Sequence, residues 1–313
     1  MGKIAVPVNF EDILHEIDTM KTALAEMKDI CLQQITDEKR NFSLYKRISC
    51  FEWYIEGLYY HLNNMIYFYR SMTDEVGNAL WPSFQEGKIN TEILFMGDEY
   101  LSKLHYELYS FINLYRIALD HFPKMLCYQF TNKHLPQSIS DFKSKTTNCP
   151  ILERITNNDV VAYFKSFRDY VVHYRPFIAG SHYYVCSDNA MSKIKEMPNY
   201  NDIKEHFIIS NFRLASVNKP SDTLVVNFYI PDIFYYKEGT NINPIKAFTY
   251  EKKRGLLEYA SKAVRFLWLS YIETLGYIKN DDTQFTYRKE KYDTPVSYTD
   301  FDLCADFIKE PTT

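Results

Sequence analysis

The sequence lacks most features that mark common enzyme classes: its 313 residues include only nine glycines and six widely separated cysteines. It contains no GxGxxG, P-loop, HExxH or GxSxG motif, which argues against dinucleotide binding, nucleotide hydrolysis, zinc proteolysis and serine hydrolysis. The cysteines form no CxxC pair, so they indicate neither a zinc knuckle nor a disulfide framework, and scattered thiols suit a reducing cytoplasm. His182 and Cys186 are spaced as two metal ligands, but no second pair accompanies them, and we interpret them as loop residues. We therefore expect no metal and no other cofactor.

An excess of positive charge and a long apolar run are also missing. The formal net charge of −4 argues against binding of long nucleic acid by bulk electrostatics, although it is compatible with a local basic cleft. The stretch VRFLWLSYIETLGYI is interrupted by Glu273 and is too short to span a bilayer. The N-terminal stretch becomes acidic after a few apolar residues, unlike a signal peptide. We expect a soluble, cytoplasmic protein without a membrane partner.

Aromatic residues, by contrast, are abundant, with 27 tyrosines and 22 phenylalanines. Tyrosine combines apolar area with a hydroxyl that needs a partner, so it suits cores and interfaces. Stacking of nucleic-acid bases on these rings is an alternative, but we interpret most of them as core residues.

Apolar residues recur every three or four positions along several stretches, which predicts amphipathic helices. Asn9 is suited to cap the first helix, and another helix should start at Asn157 or Asn158 and end before Pro176. Steps averaging near 3.5 residues are typical of antiparallel helices that pack at shallow angles in a bundle. The stripes are Phe10, Ile13, Ile17, Met20, Leu24, Met27 and Cys31; Leu44, Ile48, Phe51, Ile55, Leu58, Leu62, Met65 and Tyr69; Leu101, Leu104, Leu108, Phe111, Tyr115, Leu119 and Phe122; and Ala260, Val264, Leu267, Tyr271, Leu275 and Ile278.

The remaining stretches predict loops and a small β element. Residues 72–93 and 130–150 contain the Gly, Pro, Asn and Ser of loops, and Trp81 before Pro82 is interpreted as a residue that fixes a loop. HFIISNFRLASV and TLVVNFYI are dense in β-branched and aromatic residues around NKPSD, which predicts a β-hairpin. The fold class is therefore mainly α, a helical bundle with a small β-hairpin insertion at about residues 205–236. The last long helix is predicted to start at Asn243. Residues 1–280 are expected to form one domain, and residues 281–313 a C-terminal arm or tail.

The stretch SFRDYVVHYRPF contains the residues best suited to chemistry. Asp169 and His173 are four residues apart and share a helix face, where a carboxylate can orient an imidazole and favour its protonated form. Arg168 offers a planar fork that matches phosphate. Arg168 and His173 lie about 140° apart in projection and about 7.5 Å apart along a helix. The helix thus combines a phosphate-binding cation with a group that exchanges protons near neutral pH.

Two other Arg–His pairs have similar spacing, so the sequence context must choose among them. In the pair Arg116–His121, the apolar Ile117 directly follows the arginine, and the pair falls among core positions. The pair Arg175–His182 crosses the break that Pro176 makes in the helix. Only the pair Arg168–His173 has a polar residue directly after the arginine and an unbroken helical frame.

RDYVVH on a late helix of a helical bundle resembles the motif of HEPN domains: an Arg followed by a polar residue, four to six intervening residues in all, and a His. Many members are metal-independent endoribonucleases of toxin–antitoxin, abortive-infection and CRISPR-linked systems. The resemblance covers this motif and its helical setting. Arg175 stands where one subgroup has a Tyr two positions after the His.

The resemblance implies an activity, a set of site residues and partners. The RNA substrate would be cleaved by attack of a 2′-hydroxyl on the adjacent phosphate, with Arg168 binding that phosphate and His173 acting as general acid or base. Asp169 would orient His173 or contact the substrate, and Lys165, Tyr170 and Tyr174 would bind it. Because one His cannot easily serve both oxygens, a homodimer with two motifs in one cleft is expected. An antitoxin or regulatory partner is a further expectation.

Two other classes of function remain open. The chain is alternatively a non-catalytic helical module for dimerisation or partner binding, or an accessory protein of a phage-defence cassette that acts on another protein. The densest basic run has two interpretations, an RNA path and a solvated helix face, of which the second is favoured. Its cations are Lys252, Lys253, Arg254, Lys262 and Arg265.

Overall fold

The computed structural model of the chain describes residues 3–5, 9–85, 93–95, 99–131, 135–136, 138–142, 147–173, 183–185, 213–214, 223–225, 229–236, 245–279 and 284–288. This part of the chain is mainly helical, as the apolar spacing predicts. Short 3₁₀ turns cover Leu126–Gln129 and Ile139–Asp141. The α-helices are α1 (Phe10–Gln33), α2 (Glu38–Gln85), α3 (Glu99–Leu119), α4 (His121–Met125), α5 (Pro150–Thr156), α6 (Asp159–His173) and α7 (Leu256–Lys279).

The predicted apolar stripes form the core of the bundle. Every residue of the α2 stripe from Leu44 to Tyr69 is buried, as is every residue of the α7 stripe. In α1 the positions Ile17, Leu24 and Cys31 are buried, and the intervening apolar residues pack against them at the edge. Burial of these stripes against one another supplies the main apolar driving force for the fold.

Polar contacts between helices establish how the bundle is arranged. His61 pairs with Glu107 of α3, and Arg47 donates to the carbonyl of Lys124 just beyond α3, so α2 and α3 are antiparallel. Glu52 of α2 joins three helices. Its carboxylate accepts from Lys28 Nζ of α1 at 2.8 Å and from the Tyr271 hydroxyl of α7 at 3.0 Å.

Helix α2 is longer than predicted. The expected loop at residues 72–93 is wrong for its first part, because α2 continues through Gly77, Trp81 and Pro82 to Gln85. A helix that has already formed gains a hydrogen bond with each added residue. Neither Gly77 nor Pro82 ends the helix.

Strands pair in three small groups. β4 pairs antiparallel with β5 across the predicted hairpin, with Leu214 opposite Leu224, and β1 lies parallel to β5. β2 pairs antiparallel with β3, and β6 with β7. The register of the last pair shifts at Pro231, whose missing N–H cannot take part in the ladder. The strands are β1 (Lys3–Ala5), β2 (Ile93–Phe95), β3 (Tyr183–Val185), β4 (Arg213–Leu214), β5 (Thr223–Val225), β6 (Tyr229–Tyr236) and β7 (Ile245–Gly255).

The β insertion is therefore larger than predicted. The start of the last helix at Asn243 is wrong, because β7 occupies Ile245–Gly255 and α7 begins at Leu256. The β-branched and aromatic residues of IKAFTY pair with β6, and this long-range pairing overrides the local Asn-Pro helix signal.

Part of the predicted C-terminal arm is packed against the bundle. Phe285 is buried against Phe130 and Tyr277, and its backbone N–H donates to the carbonyl of Gln129 at 2.6 Å. Residues 284–288 are thus held by core contacts as well as by backbone bonds.

Candidate functional site

Helix α6 is a well-defined element for the predicted site. Asn158 caps its start, because the Asn158 Oδ1 accepts from the N–H groups of Val160 and Val161 at 3.0 and 3.2 Å. The described helix ends at His173, before Pro176, as predicted. Its buried face docks on α3 and α7 and comprises Val161, Tyr163, Phe164, Phe167 and Tyr170.

Arg168 and Asp169 lie together on the side of α6 that faces away from the core. Nη1 of Arg168 donates to Oδ1 of Asp169 at 3.2 Å, and the two side chains are 33% and 30% exposed. Both groups remain within reach of a ligand in solvent. The carboxylate offsets part of the arginine charge, so a phosphate binding at Arg168 must compete with Asp169.

His173 is the last residue of α6, one turn beyond Asp169. Its side chain and the whole of Tyr174 lie outside the described part of the structure, so the contact between Asp169 and His173 stays a prediction. We refer to Arg168, Asp169 and His173 as the α6 site.

The expected substrate contacts of Tyr170 and Lys165 have different outcomes. Tyr170 is only 3% exposed and belongs to the core, so the expectation that it stacks on a base is replaced by a packing role. The amphipathic phase of α6 explains this, because Tyr170 continues the stripe of Tyr163 and Phe167. Lys165 is half-buried, one turn before Arg168 and Asp169 on the same side of the helix, where binding of substrate stays a prediction.

Arg116, the arginine of the competing pair Arg116–His121, belongs to a structural network. Arg116 Nη1 donates to Asp120 Oδ1 at 2.7 Å, and its Nη2 donates to the Ser138 hydroxyl at 2.7 Å. Asp120 also accepts from the N–H of Ile139. These bonds hold the turn at residues 138–142 against the end of α3. The third Arg–His pair, Arg175–His182, lies outside the described residues.

The basic run covers the end of β7 and the first half of α7, and several of its cations contact other groups of the protein. The guanidinium of Arg254 lies 4.9 Å from the ring centroid of Tyr163, and Lys262 pairs with Glu258 at 2.6 Å. Arg265 pairs with Glu16 of α1 at 3.0 Å. Lys262 and Arg265 fit the favoured interpretation, a solvated helix face, whereas residues 252–254 lie on β7, so that interpretation is wrong for this part of the run.

A second group of polar residues was missed in the sequence. Lys46, Arg47 and Cys50 of α2 line a groove of about 430 Å³ together with His121 and Lys124 of α4. We refer to these five residues as the basic groove. The signal in the sequence was the adjacent Lys46–Arg47 pair, but Lys124 and His121 are more than 70 positions away, and only the packing of α4 on α2 brings them together.

The imidazole of His121 has a strongly shifted pKa. Burial and, to a smaller extent, the charge of Lys124 lower the pKa of His121 to about 4, against the opposite effect of Asp120. The ring is therefore neutral at pH 7. It contacts the ring of Tyr54 at 5.0 Å between centroids.

Within the described part of the chain, no three His, Cys, Asp or Glu side chains lie close enough to share a metal ion. A search of the same residues for a helix with the length and hydropathy of a membrane span finds none.

Comparison with known proteins provides no relative in which the α6 site can be examined. The chain matches no family model, no curated protein and no solved structure. The resemblance of RDYVVH to the HEPN motif thus rests on the residues and their helix.

Proposed function

We propose that the chain is a metal-independent endoribonuclease of the HEPN type, with Arg168 and His173 as its catalytic residues. The observation that carries the proposal is the partly exposed Arg168–Asp169 pair one turn before His173, on a capped helix of a helical bundle. A rigid helix holds a phosphate-binding cation at a set distance from a proton-exchanging group, as general acid–base catalysis on a phosphodiester requires.

The reaction is a transesterification within the RNA chain. The 2′-oxygen attacks the adjacent phosphorus and loses its proton to an imidazole, while the P–O5′ bond breaks and the 5′-oxygen receives a proton. The products are a 2′,3′-cyclic phosphate and a 5′-hydroxyl. Arg168 binds the non-bridging oxygens and stabilises the charge that develops on them. Asp169 positions Arg168 through their hydrogen bond, and the contact expected with His173 would position the imidazole as well.

A homodimer completes this chemistry. One imidazole takes the proton from the 2′-hydroxyl, and a second imidazole from another copy of the chain protonates the leaving oxygen. Sedimentation at micromolar concentration should give a dimer mass, and a monomer with full activity would contradict the composite site.

The activity is tested with purified protein, single-stranded RNA and excess EDTA. We expect cleavage that leaves 2′,3′-cyclic phosphate ends, that spares all-deoxy oligonucleotides, and that is lost in both Arg168→Ala and His173→Ala. Arg265→Ala is the matched control, since this surface arginine on α7 is paired with Glu16. Equal cleavage by all variants, or none by the native chain, would overturn the assignment.

We propose further that the protein acts in the cytoplasm, in a toxin–antitoxin or phage-defence setting with an antitoxin or regulator. The described cysteines Cys31, Cys50, Cys127 and Cys149 are free thiols, which suits a reducing compartment. The alternative is a non-catalytic dimerisation or partner-binding module. The neutralising contact of Asp169 with Arg168 favours that reading, which a stable dimer without cleavage would support.

A further inference from the structure

The basic groove concentrates positive charge on an otherwise acidic protein. Three of its five lining residues, Lys46, Arg47 and Lys124, are permanent cations at neutral pH, and none of the five is acidic. Nη1 of Arg47 donates to the carbonyl oxygen of Lys124 at 2.6 Å, which fixes the guanidinium between α2 and α4. A net charge of −4 for the chain makes this local cluster informative, because it is not the result of a generally basic surface.

His121 adds a buried polar atom to the same groove. Its side chain is 9% exposed, and its Nδ1 has no hydrogen-bond partner among the described residues. Buried polar atoms are nearly always hydrogen-bonded, and this one is closed off from solvent without such a partner. Nδ1 is therefore out of reach of a ligand in the groove, and the cations remain the groups that a ligand can contact.

Exposed aromatic rings lie next to the cations. Tyr128 is 43% exposed, and its ring lies 5.2 Å from the Arg40 guanidinium and 6.0 Å from that of Arg47. Trp53 is 69% exposed, on the same face of α2 as Lys46 and about 10 Å further along the helix. Cations that alternate with exposed rings are the arrangement by which proteins bind single strands, with phosphates on the cations and bases on the rings.

Contacts of Trp53 connect this ring to the groove. Its ring meets Tyr54 at 5.2 Å between centroids, and Tyr54 in turn meets His121 at 5.0 Å. The ring of Tyr128 therefore marks one end of the groove along α2 and that of Trp53 the other. A strand that follows α2 would pass Lys46, Arg47 and Lys124 between these two rings.

We propose that the basic groove binds a phosphodiester chain with unstacked bases, that is, single-stranded nucleic acid, at a site separate from the α6 site. Lys46, Arg47 and Lys124 contact phosphates, and Tyr128 and Trp53 stack on bases. This binding does not depend on the proposed cleavage, because none of the groove residues belongs to the α6 site.

The direction of α6 places the two sites at different ends of the bundle. Tyr163 of α6 contacts Tyr259 near the start of α7, whereas Arg154 of α5, which precedes α6, pairs with Glu273 near its end. Helix α6 therefore runs towards the start of α7, and Arg168 lies beyond Tyr163 in that direction.

The groove lies towards the other end of α7. Tyr271 contacts Phe51, the neighbour of the groove residue Cys50. Tyr259 and Tyr271 are about 18 Å apart along the helix axis. A single strand bound in the groove thus leaves the α6 site open, and a long substrate can engage both.

Binding is measured by fluorescence anisotropy with labelled oligo-U and oligo-dT of about 12 nucleotides, in the His173→Ala background, so that cleavage does not interfere. We expect the double variant Lys46→Ala/Lys124→Ala to weaken binding at least tenfold. Its salt dependence should also be shallower by about 0.7 in the log–log slope for each lost phosphate contact. The control Lys262→Ala/Arg265→Ala removes two cations from α7 and should bind like its parent.

Stacking is tested separately with Trp53→Ala, which we expect to weaken binding about fivefold or more at high salt, where charge contributes less. Equal affinity for both oligonucleotides identifies the backbone as the ligand, and preference for oligo-U adds a contact to the 2′-hydroxyl. Unchanged affinity in Lys46→Ala/Lys124→Ala, or an equal loss in the α7 control, would overturn the proposal. If Lys46→Ala/Lys124→Ala weakens binding but Trp53→Ala does not, the groove binds polyanions through charge alone. That result would contradict the single-strand assignment.

The test is independent of the proposed ribonuclease activity. Loss of groove binding in a chain that still cleaves RNA would leave the function of the α6 site intact. Groove binding without any cleavage would overturn the proposed activity alone. Circular dichroism of each variant, compared with the parent, distinguishes lost binding from lost folding.

Discussion

Arg168 donates a hydrogen bond to the carboxylate of Asp169, the next residue along α6, at 3.2 Å. Neighbouring residues on a helix point about 100° apart, so this bond requires the arginine side chain to fold back across the helix surface. The contact holds the guanidinium against the carboxylate of Asp169. It also makes Asp169 the group with which a phosphate competes.

Replacement of Asp169 by Asn should separate binding from cleavage. Loss of the negative charge removes an interaction of about 1 kcal/mol with a nearby phosphate, so non-cleavable 2′-O-methyl RNA should bind about fivefold more tightly. Cleavage in a single turnover should nevertheless slow, because Arg168 and His173 lose a positioning partner. Anisotropy in the Lys46→Ala/Lys124→Ala background isolates the α6 site from the basic groove.

Asp159→Asn is the matched control for this substitution, because it removes an exposed carboxylate from the first turn of the same helix. It should leave both measurements nearly unchanged. If Asp169→Asn binds RNA no better than the native chain, the phosphate does not approach Arg168.

Acid should destabilise the protein through His121. The pKa of an imidazole in the unfolded chain is about 6.5, whereas burial holds that of His121 near 4, so between these values the unfolded state binds a proton that the folded state does not. The free energy of unfolding should therefore fall as the pH drops from 6.5 to 4, by at most about 3 kcal/mol. Urea denaturation at pH 7, 5.5 and 4 measures this loss, and His121→Gln should reduce it. The same pH dependence in that variant would assign the effect to other groups.

Two glycines in long helices should respond differently to alanine. No atom lies within 4 Å of a Cβ built on Gly276 in α7, so Gly276→Ala should raise the free energy of unfolding by about 1 kcal/mol through helix propensity. A Cβ on Gly57 would lie 2.8 Å from Leu114 Cδ1, where α2 and α3 approach closely. Gly57→Ala should gain less, since Leu114 must move. Urea denaturation of the two variants should show this difference. Equal stabilisation would mean that Leu114 moves away from the new methyl group at little cost in free energy.

Much of the helical architecture could be predicted because amphipathic spacing is a local property. The stripes on α2 and α7 were identified from periodicity alone, and each of their positions is buried. The same periodicity, followed one step further, accounts for Tyr170: it continues the buried stripe of α6. Arg168 and Asp169 lie outside that buried stripe, and about a third of each side chain is exposed.

Long-range packing decided the features that the local signals missed. β7 replaces a predicted helix start because its backbone pairs with β6, and Phe285 is buried because it meets Phe130 from a distant part of the chain. The basic groove exists only where α4 packs on α2.

The amino-acid sequence by itself determined the helices, their buried faces and the Arg168–Asp169–His173 order on α6, because periodicity, caps and breakers act over a few residues. The tertiary structure alone decided which charged side chains remain available to bind a ligand. It pairs Arg116, Arg254 and Arg265 with carboxylates or rings and gathers Arg47 with Lys124 around a groove. Charge and burial depend on neighbours that are far away in the chain, and only folding supplies those neighbours.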